Sequence, residues 1–290
     1  MRKSVLMSLI FFLALFSGCS MQRMAIRQME PVLNNSVAAF FEEDDLELAR
    51  QAMAANLKLV EGLLKSDAQN QTLLQILAQG YAGYALAFVE DTNANRARKL
   101  YLRARDYAWR LLEAQNKQLA KTLKTASAAD WERILLKARK KNVPALFWLG
   151  FSWSSYINLS LEDPQAILDL ARVEPVMKRV LELDSSYFYG ATYLFFGSLY
   201  GQKPPLLGGN PQKARAFFEK NFKLTGGKFL LSYVYAARFY AAKTLNEQLF
   251  DSYLQKVLDS PIDIQPNVRL LNQVAKQKAK RLLKKKSEMF

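Results

Sequence analysis

The sequence predicts an all-α fold, on three observations. Runs rich in Ala, Leu, Lys, Arg and Gln dominate the chain, and no stretch alternates apolar and polar residues as a half-buried strand would. Segments almost free of charge alternate with amphipathic, charged ones. Capping and stop residues fall between them: Asp163-Pro164 and Asn210-Pro211 each put a capping side chain before a proline suited to the first helical position, and Gly226-Gly227 supplies a stop.

The first element is a leader. Arg2 and Lys3 form a basic start, 5–16 is a short apolar run, and Ser17-Gly18-Cys19 follows it. That run is too short for a comfortable membrane span and fits a secretory signal. Cys19 is the only cysteine in the chain and sits where a lipoprotein signal needs one, with Phe16 where Leu is usual. We therefore expect 1–18 to be a lipoprotein signal peptide and Cys19 to be acylated. We expect 19–30 to be a tether, 31–275 the helical domain and 276–290 a basic C-terminal tail. Each buried methylene of an acyl chain contributes roughly 0.8 kcal/mol, so two or three chains hold firmly. The mature protein is expected on a bacterial membrane facing the periplasm. Ser20, in place of an Asp retention signal, favours the outer membrane over the inner.

Four uncharged helices are expected at 71–89, 144–161, 187–200 and 229–242, the last broken only by Arg238. Four charged partners are expected at 94–117, 164–183, 211–224 and 246–258. Ser, Asn and Gln interrupt the uncharged runs, which argues against transmembrane spans. The uncharged helices share a spacing. Tyr193-x2-Phe196-Gly197-x2-Tyr200 and Leu146-x2-Leu149-Gly150-x2-Trp153 have the offsets of a tetratricopeptide first helix. Leu74-x2-Leu77-Ala78-x2-Tyr81 and Tyr233-x2-Ala236-Ala237-x2-Tyr240 repeat them with Ala for Gly. The predicted architecture is a single domain of stacked, degenerate tetratricopeptide-like hairpins.

Charge and chemistry narrow the function. The chain has no histidine, which removes Ser-His-Asp and Cys-His catalysis and most zinc sites. No paired-carboxylate motif stands out on the uncharged helices, so we expect no enzyme and no cofactor. Formal net charge is +15, and 95–141 carries 14 basic and 4 acidic residues. For an exported chain this points to anionic lipid or an acidic partner rather than nucleic acid.

The helix at 187–200 has two apolar stripes: Phe188, Thr192, Phe195 and Leu199, and Tyr189, Tyr193, Phe196 and Tyr200. In a hairpin stack one stripe would face the neighbouring helix and the other a groove. The expected lining of an apolar cavity is Tyr81, Tyr84, Phe147, Trp153, Tyr156, Tyr193, Phe196 and Tyr200, with Arg238 as a carboxylate receptor. The loop Pro204-Pro205-Leu206-Leu207-Gly208-Gly209-Asn210 has an apolar tip between stiff prolines and permissive glycines. It is expected to cap the cavity, fill the core or dock a partner.

These features together resemble the T components associated with tripartite ATP-independent periplasmic (TRAP) transporters, the TatT-like lipoproteins. The resemblance is carried by the lipobox, Gly80-Tyr81-Ala82-x-Tyr84-Ala85, the helix at 147–156, the Pro-Pro-Leu-Leu-Gly-Gly-Asn-Pro loop and Leu271-Asn272-x2-Ala275. It implies cryptic tetratricopeptide hairpins, assembly as a homotrimer and an apolar channel through each subunit. It also implies a partner, the solute-binding P component, and a small hydrophobic or organic-acid ligand. The competing reading is a tetratricopeptide scaffold lipoprotein for envelope assembly, with an open groove for peptides.

Overall fold

A computed structural model describes residues 21–290. The leader 1–18 and Cys19 lie outside the described residues. Those described form helices and loops, with no strand. Residues 21–28 are helical and lead into α1 (Glu30–Glu42), followed by α2 (Leu46–Ser66) and α3 (Gln71–Tyr84), which runs on through a π-helical turn at Ala85–Val89. Then come α4 (Ala94–Gln115), α5 (Lys117–Thr125), α6 (Trp131–Leu135), α7 (Val143–Asn158), α8 (Pro164–Leu168) and α9 (Leu170–Leu183). The chain closes with α10 (Tyr187–Gln202), α11 (Pro211–Thr225), α12 (Leu231–Ala236) with a second π-helical turn at Ala237–Ala241, α13 (Glu247–Asp259) and α14 (Arg269–Lys284).

Helix starts are written locally. The side chains of Asp45, Asn70, Asn93, Asn116, Asp163, Asn210 and Asn246 each accept a backbone N–H from the first turn of the helix that follows. Such caps satisfy donors that the helix itself leaves unpaired. The expected helix at 164–183 is broken at Asp169, and Pro175 sits inside the second piece.

Consecutive helices pack as neighbours: α2 on α3, α3 on α4, α4 on α7, α7 on α9, then α10 on α11 and α12 on α13 and on α14. Gly197 makes one of these contacts possible, because a Cβ there would meet the Phe218 ring of α11 at 2.8 Å. α14 returns to pack against α1 and α2, so the array closes into a ring. Gln71–Val89 is apolar and long enough to cross a bilayer by composition, and 67% of that window is buried within the ring.

Two segments differ from expectation. Within the expected tether 19–30, the described residues 21–30 are not a plain tether, since Ile26 is buried and the Arg27 guanidinium pairs with Asp67 at 3.0 Å. The segment 276–290 is not a free basic tail, since α14 carries through it to Lys284. Ala279 and Leu282 are buried, and Lys278 donates to Glu90 at 2.6 Å and Asp91 at 2.8 Å. Spacing explains this: Leu271, Ala275, Ala279 and Leu282 form an apolar stripe that the density of lysines hides.

Candidate functional site

The ring encloses an apolar cavity of about 600 Å³. Val32, Leu33, Val37 and Phe40 of α1 form one wall, Met53 and Val60 of α2 and Ile76 of α3 a second, and Phe151 and Ser155 of α7 a third. Phe188, Ala191, Leu194, Phe195, Ser198 and Leu199 of α10 complete it with Tyr235 of α12 and Leu270 and Leu271 of α14. Neither an acid nor an arginine lines it; its charged lining residues are Lys203 and Lys243. Lys203 pairs with Glu174 at 3.1 Å, and Lys243 is exposed and makes no ion pair among the described residues. The hydroxyl of Ser198 is buried in the wall with no hydrogen-bond partner in the protein. Burial pushes the Tyr235 phenol up beyond its ordinary range, so it stays a neutral donor.

One opening, the mouth, lies at the C-terminal ends of α7 and α10; Met29, Val32 and Leu59, also in the lining, are exposed beside α1 and α2. Leu161, Ile167, Gln202, Lys203, Pro204 and Lys243 line the mouth, and the backbone of Gly201 lies against that of Phe239 in the second π-helical turn. Pro205, Leu206 and Leu207 form a tight turn closed by Gly208 at φ +87°. Leu206 is 98% exposed, and Leu207, Leu245 and Leu161 are exposed too, so the mouth has an aliphatic collar. Asn210 caps α11, accepting from Lys213 N at 2.8 Å, and its own N–H donates to Tyr200 O at 2.9 Å. Gly209 lies against the carbonyl of Lys203.

A second, more open depression of about 780 Å³ shares Phe41, Gln79 and Phe188 with the cavity. The Phe41 and Phe188 rings meet edge to face at 6.1 Å and stand between the two spaces. Phe188 belongs to a left-handed turn: Phe188, Tyr189 and Gly190 have φ of 46°, 57° and 65°. Such a conformation costs non-glycine residues roughly 1–2 kcal/mol each. It is held from outside, because the Asn221 amide donates to Tyr189 O at 2.8 Å and Gly190 O at 2.9 Å, and Tyr189 stacks on Phe229 at 5.1 Å.

The sequence-expected aromatics sit on the right helices and the other faces. None of Tyr81, Tyr84, Phe147, Trp153, Tyr156, Tyr193, Phe196, Tyr200 or Arg238 lines the cavity. Tyr81 donates to Glu61 at 2.8 Å, Tyr84 packs on Phe88 at 5.5 Å, and Tyr156 packs on the core. Phe147 is fully buried against Trp148 and Tyr187, and the Trp153 indole donates to Asp169 at 3.1 Å. Tyr193, Phe196 and Tyr200 all pack on Phe217 of α11. Arg238 points out over Phe239, with its guanidinium 4.9 Å from the ring centre. Of the loop residues, Pro204 alone is in the lining. The physical reason is that the shared repeat offsets mark helix–helix packing positions. The other stripe of α10, with Phe188, Phe195 and Leu199, faces the cavity. Sequence reasoning missed α1 and α2 altogether, though the amphipathic spacing of α2 and its Asp45 cap were available.

Fold and site define an all-helical protein built around an apolar cavity with a cationic mouth. Residues 42–290 match the TRAP transporter T-component family, and the chain belongs to it. It is thus an accessory component of TRAP-type transport. An uncharacterized protein of Treponema pallidum (strain Nichols) is 26% identical to it over 234 residues, covering 71% of this chain and 72% of the relative.

Proposed function

We propose that the protein holds a small hydrophobic or organic-acid ligand in this cavity and exchanges it with the solute-binding P component of its transporter, as a lipoprotein anchored through Cys19 on the periplasmic side. The observation that carries this reading is a cavity of about 600 Å³ whose wall contains no acid and whose charges lie at the mouth. The volume is that of an ordinary small-molecule site. An amphiphile would lay its chain along Leu194, Phe195 and Phe151 and bring a carboxylate toward Lys243. The exposed leucines around the mouth offer the P component an apolar docking collar.

The alternative is a scaffold that binds peptides in an open groove, and it needs no enclosed volume. The two separate experimentally. Native mass spectrometry with extraction should recover small apolar molecules from the purified protein. The chain should also take up an apolar fluorescent probe. Ala191→Trp places an indole in the cavity from the α10 wall, and it should abolish probe uptake while the helical circular dichroism is kept. A wild-type protein that carries no extractable ligand and takes up no probe would sink the ligand reading and favour the scaffold.

A further inference from the structure

One end of the ring gathers cations that no acid matches. α3 begins and α4 ends there: the Gln71 amide donates to Ala114 O at 3.3 Å and Arg110 to Ala68 O at 3.1 Å. Asn142 donates to Gln115 at 3.4 Å, which brings the turn before α7 to the same end. The nearby acids are already engaged. Asp67 pairs with Arg27 at 3.0 Å, Glu113 with Lys124, Glu132 with Lys178 at 2.5 Å and Asp184 with Lys140 at 3.8 Å. Lys117, Lys121, Lys137, Arg139 and Lys141 remain exposed, with no ion pair among the described residues. In α14 Lys278 and Arg281 pair with acids, as Lys286 does just after it, while Lys280, Lys284 and Lys285 are exposed with no ion pair among the described residues.

The chain also enters at this end. Arg27 reaches Asp67 in the turn between α2 and α3, and Glu30 accepts from Asn70 at 3.1 Å and Thr72 at 3.0 Å. Met21 therefore starts beside the basic end, two residues after Cys19. The mouth is at the far end of α7, whose 16 residues span about 24 Å at 1.5 Å each.

We propose that this basic end rests on an anionic bilayer, the one that holds the acyl chains of Cys19, so that the cavity mouth faces away from the membrane. The inference rests on the lipid-anchor reading for its choice of surface. Charge complementarity and the entry point of the chain agree on the same end. Exposed cations near an anionic surface act within a Debye length of about 8 Å at 0.15 M salt, so the contact needs the ring to stand on that end.

The test uses the chain from Met21 onward, which contains the complete ring and lacks Cys19, so binding reads the basic end alone. It should sediment with vesicles of phosphatidylcholine and phosphatidylglycerol, not with phosphatidylcholine alone, and be released by added salt. Replacing Lys117, Lys121, Lys137 and Lys141 by Gln should weaken binding at least about tenfold, since each such lysine contributes about fivefold. Replacing Lys99, Lys213, Lys280 and Lys284 by Gln removes the same charge from the far end and should leave binding within about twofold. Equal losses in the two variants would overturn the proposal, since net charge alone would then be binding. No binding to the anionic vesicles would also overturn it and assign the basic end to an acidic protein. The anchor is read separately: a full chain with Cys19→Ala that stays in the membrane after a high-salt wash removes the lipid, whatever the vesicles show.

Discussion

At the scale of single residues, Phe188 is held where its backbone would not choose to be. The Asn221 amide and the stack on Phe229 fix its left-handed turn, and its ring stands with Phe41 between the cavity and the outer depression. Strain of this kind persists only where the surroundings over-determine it. Phe188→Ala removes half of the partition without touching the hydrogen bonds of the turn. It should speed dissociation of a bound apolar probe several-fold, measured by stopped-flow fluorescence, while probe capacity is kept. Unchanged rates would show that the ring is wall and not partition. The role of Phe188 was half legible in the sequence. Two stripes could be read along α10, and periodicity gives their spacing but not which one meets a neighbour. The repeat offsets favoured Tyr193, Phe196 and Tyr200, and those offsets turned out to describe the contact with Phe217.

Among the elements, α1 is the least secured. None of its residues is buried, yet Val32, Leu33, Val37 and Phe40 line the cavity. It is pinned at its ends. Glu30 accepts from Asn70 and Thr72, and at the other end Arg269 donates to Glu42 O at 3.2 Å and Gln273 to Asp44 O at 3.2 Å. A helix with few buried contacts opens at low free energy. Hydrogen exchange should therefore be faster in α1 than in α3 and α7, and filling the cavity with probe should slow it. Equal protection in α1 and α7 would count against this. Most helices between 71 and 258 were legible because charge-free and charged helices alternate there and Asn or Asp caps mark several starts; α5 and α6 were not among those expected. α1 was not, because Asn34-Asn35 interrupts its apolar face and no side chain caps it. α14 was misread because Lys276, Lys278, Lys280, Arg281 and Lys284 crowd its second half, although Lys278 and Arg281 are committed to acids.

For the whole molecule, closure of the ring depends on a buried ionic cluster. Lys278 of α14 has 7% of its side chain exposed and joins Glu90 and Asp91, which follow the first π-helical turn; Arg281 adds a bond to Asp91 at 2.8 Å and Tyr101 donates to Glu90. Lys278→Met leaves two carboxylates short of their cation, which typically costs about 3–5 kcal/mol. Urea unfolding should show a loss of that order, and a loss under about 1 kcal/mol would mean the cluster is not what holds α14. Burial pushes the Asp91 carboxyl up, but Lys278 and Arg281 outweigh it and hold it below the ordinary carboxylate range. Its contribution is therefore complete above the unfolded value of about 4 and is lost as pH falls through the lower folded value. Stability of the wild type should drop in that acid window, and Lys278→Met should drop less steeply. No local pattern announces this cluster, because its cations lie 187 to 190 residues from its carboxylates.

That separation also sets a schedule. The bonds from Arg269 to Glu42 and from Gln273 to Asp44 bridge 227 and 229 residues, so they form only after the chain through Gln273 has left the machinery that makes it. Before that moment the nascent chain is a gutter with two apolar rims. It can brush against greasy molecules but has no inside in which to keep them, and its open rims are the surfaces most prone to stick to another copy. A chain that stopped short of α14 would be a trough and not a leakier vessel. An interior is thus the last property the polypeptide acquires, and it arrives all at once.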